Sequence, residues 1–218
     1  MEDLDVSTFI EQQVQEISNY IGDEKAIVAT SRGVDSTVAA VVANRAIGEN
    51  LLCVFIDDNF MRLGESEQVK NLLSNEPLNL QVKILNKRQQ FMEALDGLSD
   101  AEEKRKAFRE TFYQTLREAA EEYECKYLLQ GTIRADVEET SDGIKTQHNI
   151  LEQIGIDPVE KYGFQVIEPL KSLYKYQVRD VARKMLIPPE LAERQPFPGP
   201  GLSIRVVGKI TNEKLDEL

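Results

Sequence analysis

The sequence predicts an α/β fold: a doubly wound, mainly parallel sheet with helices on both faces. Short apolar runs of strand length alternate with segments in which apolar residues recur at helical spacing. The strand candidates cover residues 26–29, 51–56, 80–85, 126–130 and 164–167. Strands that alternate with helical crossovers favour a parallel sheet between two helical layers. The 218 residues are enough for one well-buried core.

The helical segments have recognisable beginnings. Helices are predicted over residues 7–21, 36–46, 64–73, 100–124 and 174–186. Ser7 is the expected N-cap of the first, because its hydroxyl can accept a hydrogen bond from the first turn. Either Ser99 or Asp100 can cap the long, charged helix that follows them.

Two segments interrupt this alternation. Residues 132–163 are polar and weakly periodic, which is typical of a mobile, lid-like segment at an active site. Residues 196–201 read Pro-Phe-Pro-Gly-Pro-Gly and predict a shaped loop, since proline lacks a backbone donor. The predicted organisation is a main domain over 1–195 and a distinct terminal part over 196–218.

Composition excludes several classes of function. The net charge of −12 argues against nonspecific nucleic-acid binding, which needs a positive face. No stretch approaches the ~20 apolar residues of a membrane span, and the acidic start does not resemble a signal peptide, so a cytoplasmic protein without membrane contact is predicted. Cys53 and Cys125 are interpreted as reduced, buried thiols. His148 is the single histidine, and this argues against a metal site built from histidines and against a Ser-His-Asp triad.

The loop after the first strand candidate has the clearest chemical pattern. Residues 29–36 read Ala-Thr-Ser-Arg-Gly-Val-Asp-Ser. A helix N-terminus at this edge of a parallel sheet offers N–H groups to phosphate. Ser31 and Ser36 add hydroxyl donors, Gly33 allows close backbone approach, and Asp35 is predicted to bind the Mg²⁺ that accompanies a nucleotide. The alternative is an ordinary turn with Ser or Asp as helix cap, and the pattern is not a Walker A loop.

This loop resembles the Ser-Gly-Gly-x-Asp-Ser loop with which N-type ATP pyrophosphatases hold the pyrophosphate of ATP. The matching residues are Ser31, Gly33, Val34, Asp35 and Ser36. Arg32 stands where the family has its first glycine. The resemblance implies that Arg32 lies at the phosphates, either as a bidentate donor or as an occupant of their space.

The second strand candidate ends in a segment that resembles one of the GMP synthetases, which belong to the same family. Residues 55–62 read Phe-Ile-Asp-Asp-Asn-Phe-Met-Arg, and the family segment starts Val/Ile-Asp and continues to Met-Arg. Asp57 is predicted to reach the edge of a bound nucleoside. Taken alone, the segment also fits a solvated turn.

The fourth strand candidate leads into residues 130–138, which resemble the Gln-Gly-Thr-x-x-Pro-Asp-x-x-Glu signature of GMP synthetases with Ala135 in place of the proline. Gly131 and Thr132 carry over from that signature as parts of the ATP site. The carboxylates predicted for metal or acid–base work are Asp136 and Glu138, and Arg134 beside them is predicted to bind substrate.

A lid motif follows. Residues 144–149 read Ile-Lys-Thr-Gln-His-Asn and resemble the family's Ile-Lys-Ser/Thr-His-His-Asn, with Gln147 in place of the first histidine. Lys145 and His148 are predicted to be catalytic, because cationic groups on a closing segment can neutralise charge on a leaving group. A structural role is the alternative for a lone histidine.

The most particular signature lies near the end of the chain. It reads Arg-Gln-Pro-Phe-Pro-Gly-Pro-Gly-Leu and resembles the loop that helps to form the XMP site of GMP synthetases. The residues predicted to bind XMP are Arg194, Gln195, Pro196, Phe197, Pro198, Gly199, Pro200 and Gly201. Shorter matches at 168–170, 174–175 and 178–179 keep the resemblance continuous.

The resemblance implies an adenine nucleotide alpha hydrolase-like fold and ATP-dependent amination of XMP to GMP through an adenylyl-XMP intermediate. ATP and Mg²⁺ are the expected cofactors, and ammonia is expected from a separate glutamine amidotransferase subunit. Family members form homodimers through a C-terminal domain, most of which is expected to be absent from this chain. Two alternatives stay open: a catalytically impaired, nucleotide-binding relative that acts through protein interaction, and another pyrophosphatase chemistry such as tRNA thiolation or NAD synthesis.

Overall fold

The computed structural model describes residues 4–31, 33–61, 64–141, 151, 155–193 and 200–216. Within these residues, five parallel strands form one sheet in the order β3-β2-β1-β4-β5. The strands are β1 (Lys25–Ala29), β2 (Leu51–Asp57), β3 (Val82–Asn86), β4 (Cys125–Leu129) and β5 (Gln165–Ile167). The order reverses between β1 and β4, and open parallel sheets bind ligands beside such a point, beyond the carboxyl ends of the strands. The predicted parallel sheet is confirmed.

The helices lie on both faces of the sheet, as predicted. They are α1 (Val6–Ile21), α2 (Val34–Ile47), α3 (Glu65–Ser74), α4 (Arg88–Leu95), α5 (Ala101–Tyr123), α6 (Arg134–Ser141), α7 (Pro158–Tyr162), α8 (Lys175–Lys184), α9 (Pro189–Ala192) and α10 (Asn212–Asp216). One apolar cluster joins the sheet to α1, α2, α3 and α8, and a second joins its other face to α4, α5 and α7.

Helix α2 is the most buried helix on the face of the sheet that it shares with α1, α3 and α8. Its small and β-branched residues from Val38 to Ala43 are all buried. Small side chains allow the helix to approach the sheet closely, and this places its first turn directly beside the ends of β1 and β4. The packing therefore fixes the helix whose N-terminus was predicted to face phosphate.

Two helix caps test the sequence predictions. Asp5, not Ser7, caps α1: its carboxylate accepts hydrogen bonds from the backbone N–H groups of Ser7 and Thr8. The Ser7 prediction was wrong because a carboxylate two residues earlier reaches the same donors. Asp100 caps α5 in the same way and confirms one of the two residues considered for it.

The segment 132–163 contains more regular structure than its composition suggested. Residues 134–141 form α6 and residues 158–162 form α7. An aspartate at the start of each helix explains the difference. Asp136, the third residue of α6, accepts a hydrogen bond from the N–H of Ile133, and Asp157, the N-cap of α7, accepts from the N–H groups of Val159 and Glu160. Such capping stabilises short helices that have little apolar periodicity. Residues 142–150 and 152–154 lie outside the described residues, and mobility of the segment stays a prediction.

Both cysteines are free and buried. Burial raises the pKa of Cys53 to about 12 and that of Cys125 to about 11, so both thiols are protonated and unreactive at neutral pH. Among the described helices, none has the length and apolar character needed to cross a bilayer.

Candidate functional site

The loop between β1 and α2 is organised around two hydroxyl groups. The backbone N–H of Ser31 donates to Ser36 Oγ at 3.1 Å, and the Oγ atoms of the two serines lie 2.9 Å apart. The N–H of Gly33 donates to Ser31 Oγ at 3.1 Å. These bonds fold the loop back over the first turn of α2. The N-cap of α2 is Gly33 and not a Ser or Asp, and this residue has no side chain to occupy the donors that suit an anion.

The end of β4 packs directly on this turn. A Cβ at Gly131 would lie 2.6 Å from the carbonyl carbon of Asp35 and 2.7 Å from the backbone nitrogen of Ser36, so only glycine fits. The preceding residue turns to the other face of the sheet, where Gln130 Nε2 donates to the hydroxyl of Tyr113 on α5 at 2.6 Å. The following residue, Thr132, is fully buried. The structure thus brings the predicted Gly-Thr turn to the predicted phosphate loop.

Asp35 lies where three helices meet. Its Oδ2 accepts from Lys175 Nζ at 2.6 Å, and its buried Oδ1 has no hydrogen-bond partner in the part of the chain that the structure describes. Burial raises the pKa of Asp35, the nearby charge of Asp136 adds to the rise, and Lys175 opposes it. A half-satisfied carboxylate beside a phosphate loop is a suitable Mg²⁺ ligand, because Mg²⁺ combines one or two carboxylates with phosphate oxygens. Across the described ranges, no three Asp, Glu, His or Cys side chains group into a metal site on their own.

Glu138 and Arg134 join α6 to the start of α8. Glu138 Oε1 accepts from Arg134 Nε at 2.8 Å and from the hydroxyl of Tyr174 at 3.1 Å. The guanidinium of Arg134 also lies over the ring of Tyr174, 4.9 Å from its centroid. Both residues therefore lie beside the start of α8, in a network of their own, and their roles in the reaction stay predictions.

Two residues at the site were missed by sequence reasoning. The family signature continues as Asp-x-x-Glu, and counting three residues on from Asp136 gives Glu139. In a helix these two positions share a face, and Asp136 is the one that acts on Asp35. The spacing of the signature was the signal that could have found Glu139. Lys175 belongs to the short family match at 174–175, but nothing in that match indicated a contact with Asp35, which lies 140 residues away in the sequence.

The carboxylate of Asp57, at the end of β2, is fully engaged. Arg88 contacts both of its oxygens, at 3.0 Å from Nε and 2.9 Å from a terminal nitrogen, and Ser66 Oγ donates to it at 3.0 Å. The pair raises the pKa of Arg88. A direct role of Asp57 in nucleoside binding stays a prediction, and it would require sharing or exchanging these partners.

The end of the predicted XMP loop is anchored to the exit of β2. The N–H of Leu202 donates to the carbonyl of Phe60 at 2.8 Å, and Gly201, with φ +58°, has its α-carbon so close to Phe60 that a side chain there would overlap the main chain. Lys104 on α5 holds the next segment by donating to the carbonyls of Val206 and Gly208 at 2.8 and 2.6 Å. Pro200 and Gly201 are thereby placed at the ligand edge of the sheet.

Several predicted residues fall outside the described ranges. They are Arg32, Lys145, Gln147, His148, Arg194, Gln195, Pro196, Phe197, Pro198 and Gly199. Their proposed roles stay predictions.

Comparison with known proteins agrees with this geometry. The family model described as NAD synthase matches residues 4–203. A subunit of the glutamine-hydrolyzing GMP synthase of Saccharolobus solfataricus is 48% identical over 212 residues, which are 97% of this chain and 57% of that protein. The corresponding GMP synthase subunit of Archaeoglobus fulgidus is 43% identical over 98% of this chain and 68% of its own length. The chain thus spans little more than half of the first of these relatives.

A solved structure shows the same fold at low sequence identity. The NMN synthetase of Francisella tularensis superimposes with a TM-score of 0.69 at 17% identity, covering 99% of this chain and 86% of that one. This likeness confirms the adenine nucleotide alpha hydrolase-like fold. Together with the sequence relatives it shows that the chain belongs to the NAD synthase family of N-type ATP pyrophosphatases and, within it, groups with these subunits of glutamine-hydrolyzing GMP synthases.

Proposed function

We propose that this chain carries the ATP site of a GMP synthase, a carbon–nitrogen ligase of GMP biosynthesis in the cytoplasm. In the proposed reaction, ATP transfers its adenylyl group to the 2-oxo group of XMP and releases pyrophosphate. Ammonia then displaces AMP and gives GMP. The adenylyl group is a better leaving group than the original oxygen, which is the chemical purpose of the first step.

The observation that carries this proposal is the contact between the β1–α2 loop and Gly131. Ser31, Gly33 and Ser36 form a hydrogen-bonded turn at the start of a buried helix, at the carboxyl edge of the sheet. Such a turn offers backbone and hydroxyl donors to the pyrophosphate part of ATP. Gly131 closes the turn from the side of β4, at the reversal point where ligands of open sheets bind.

Mg²⁺ fits Asp35, whose Oδ1 has no hydrogen-bond partner among the described residues. Asp35 would hold the ion through this oxygen, and Asp136, whose charge acts on Asp35, would support it. Glu139, one turn from Asp136 on the same face of α6, is proposed as a further ligand. The ion would neutralise charge on the departing pyrophosphate. Lys175 supplies a further positive charge at the same place. Lys145 and His148 are proposed to add donors from the lid motif, and Arg194 to Gly201 to bind XMP.

The partners follow from the names of the relatives. Each is named as one subunit of a glutamine-hydrolyzing enzyme, which supports a separate amidotransferase subunit as the source of ammonia. A homodimer, as in the family, is part of the same proposal.

The test is pyrophosphate release from MgATP in the presence of XMP and ammonium chloride, together with calorimetric titration of MgATP. The chain and an Arg32→Gly variant, which restores the family's glycine, are compared with Ser36→Ala. We expect MgATP to bind both of the first two proteins, and Ser36→Ala to lose about tenfold in affinity with the loss of the hydroxyl network. If the first two proteins bind MgATP but neither releases pyrophosphate, the synthetase proposal fails for this chain, and the nucleotide-binding relative takes its place.

A further inference from the structure

We propose that Lys175 is an internal counter-ion that keeps a divalent cation off Asp35 until nucleotide phosphates draw its ammonium away. The inference rests on the proposed ATP site, and it adds an order to the binding of its ligands. Lys175 would make metal binding depend on the nucleotide, so that the metal site is complete only when phosphate is present.

The carboxylate of Asp35 is already paired with a cation, the ammonium of Lys175. Lys175 Nζ lies 2.6 Å from Asp35 Oδ2, and the two side chains are only 34% and 23% exposed. The pair is therefore shielded from solvent more than a surface ion pair, and its attraction is less screened. A divalent cation that approached Asp35 would meet this ammonium at the same carboxylate.

The other oxygen of this carboxylate is not used. Oδ1 of Asp35 is buried, and none of the described residues forms a hydrogen bond with it. A buried carboxylate oxygen without a partner is costly, and such an atom in a native structure calls for an explanation. A metal ion that binds only in the liganded state would satisfy it.

The backbone of Lys175 is held in place while its ammonium group can move. Lys175 begins α8, and the residue before it is fixed: the N–H of Tyr174 donates to Gln177 Oε1 at 2.9 Å, and its hydroxyl donates to Glu138 at 3.1 Å. The lysine stem is flexible and ends in a compact charge. Asp35 directly precedes Ser36 of the phosphate loop, so phosphates bound there compete with Asp35 for the ammonium.

The consequence is a reciprocal coupling between nucleotide and metal. If phosphate takes Lys175 from Asp35, the freed carboxylate binds metal more tightly. By linkage, bound metal then favours nucleotide by the same factor. In the absence of nucleotide, Lys175 takes the place of the metal.

The first experiment measures metal binding without nucleotide. Binding of Mn²⁺ alone is followed by the electron paramagnetic resonance signal of the free ion, for the chain and for Lys175→Met, Lys175→Arg and Lys171→Met. Lys171 is a matched control, since it forms an ion pair with Glu168 at 2.7 Å in the segment before α8. We expect Lys175→Met to bind Mn²⁺ about tenfold more tightly than the chain, and the other two variants to match the chain. Equal Mn²⁺ affinity in Lys175→Met and Lys171→Met would overturn the proposal.

The second experiment measures ATP binding without metal, in EDTA. Asp35→Asn releases Lys175 and removes a repelling charge, so we expect it to bind metal-free ATP about tenfold more tightly than the chain. In a Lys175→Met background the same substitution should give a clearly smaller gain, because no ammonium is left to release. An identical gain in both backgrounds would contradict the exchange of Lys175. If no protein binds ATP under any condition, the proposed function fails, and the Mn²⁺ measurement still decides the role of Lys175.

Discussion

The main chain of Gly131 lies against that of Asp35, so closely that a Cβ on Gly131 would come within 2.6 Å of the Asp35 carbonyl carbon. Backbone on both sides leaves no flexible side chain to move aside. The end of β4 and the start of α2 are therefore held at a fixed distance, and this contact sets the shape of the phosphate loop.

Gly131→Ala should weaken MgATP binding at least about tenfold and lower stability by about 1–3 kcal/mol, because the added methyl group forces the two backbones apart. Calorimetric titration and urea unfolding measure the two effects. Gly48→Ala is the control at the opposite end of the same helix: its Cβ would meet nothing within 4 Å, although φ is +54°. It should cost about 1 kcal/mol in backbone strain and leave MgATP affinity unchanged. Similar MgATP affinities in the two variants would contradict this account of Gly131.

Glu139→Gln and Glu138→Gln form a matched pair of variants. Glu139 shares a helix face with Asp136 and, in the proposed site, supports the metal, whereas Glu138 is engaged with Arg134 and Tyr174. Pyrophosphate release should fall about 100-fold or more in Glu139→Gln and less than about tenfold in Glu138→Gln. The Mg²⁺ concentration needed for half-maximal rate should rise in Glu139→Gln alone. A larger loss in Glu138→Gln would return the catalytic role to the residue first predicted.

Asp58 should make the stability of the protein depend on pH. It is 2% exposed, and burial, assisted by the charges of Asp57 and Glu65, raises its pKa to about 7, against a hydrogen bond from the N–H of Phe60. The folded protein keeps this proton to a higher pH than the unfolded chain. The contribution of Asp58 to the free energy of unfolding therefore falls as the pH rises from about 4 to about 7, and is constant above that.

Asp58→Asn removes the titration while its amide oxygen can still accept from Phe60. Urea unfolding should show that the free energy of unfolding of the unsubstituted chain falls by about 2–3 kcal/mol relative to that of the variant between pH 5 and pH 8. Parallel pH profiles of the two proteins would rule out a raised pKa at this position.

Lys104→Met should loosen the segment that follows Gly201. Lys104 is 1% exposed, and its ammonium satisfies the carbonyls of Val206 and Gly208. Its removal leaves these acceptors without their donor and should cost about 2–3 kcal/mol in urea unfolding. Lys214→Met is the matched control: this exposed lysine also donates to two carbonyls, those of Val207 and Lys209, where water can replace it. A cost below about 0.5–1 kcal/mol is expected there, and an equal cost in both variants would show that burial of Lys104 is unimportant.

The sheet was predictable from sequence because buried parallel strands are short apolar runs with polar ends. All five predicted strands are present within one or two residues of their expected bounds. Helix α4 was missed, since only Phe91 and Leu95 of its residues are fully buried and their spacing covers a single turn. Helix α6 was missed because its start depends on a side-chain cap at Asp136 and not on an apolar stripe.

The candidate site was likewise predictable only in part. The phosphate loop is one contiguous stretch whose hydroxyls and glycine have local reasons to be together, and sequence alone could propose it. The contact of Lys175 with Asp35 depends on how α8 packs beside α2, which no local pattern encodes. The close packing of Gly131 on the first turn of α2 also depends on tertiary structure. The glycine itself was already part of the recognised signature.

Two consecutive residues after β4 contact helices on opposite faces of the sheet. Gln130 is bonded to Tyr113 of α5 on one face, and Gly131 rests on α2 on the other. A shift of either helix relative to the sheet therefore pulls on the same peptide unit. Substitutions on the far side of α5 can then alter nucleotide affinity without contacting the nucleotide, so a screen for altered binding has to include positions well away from the cleft.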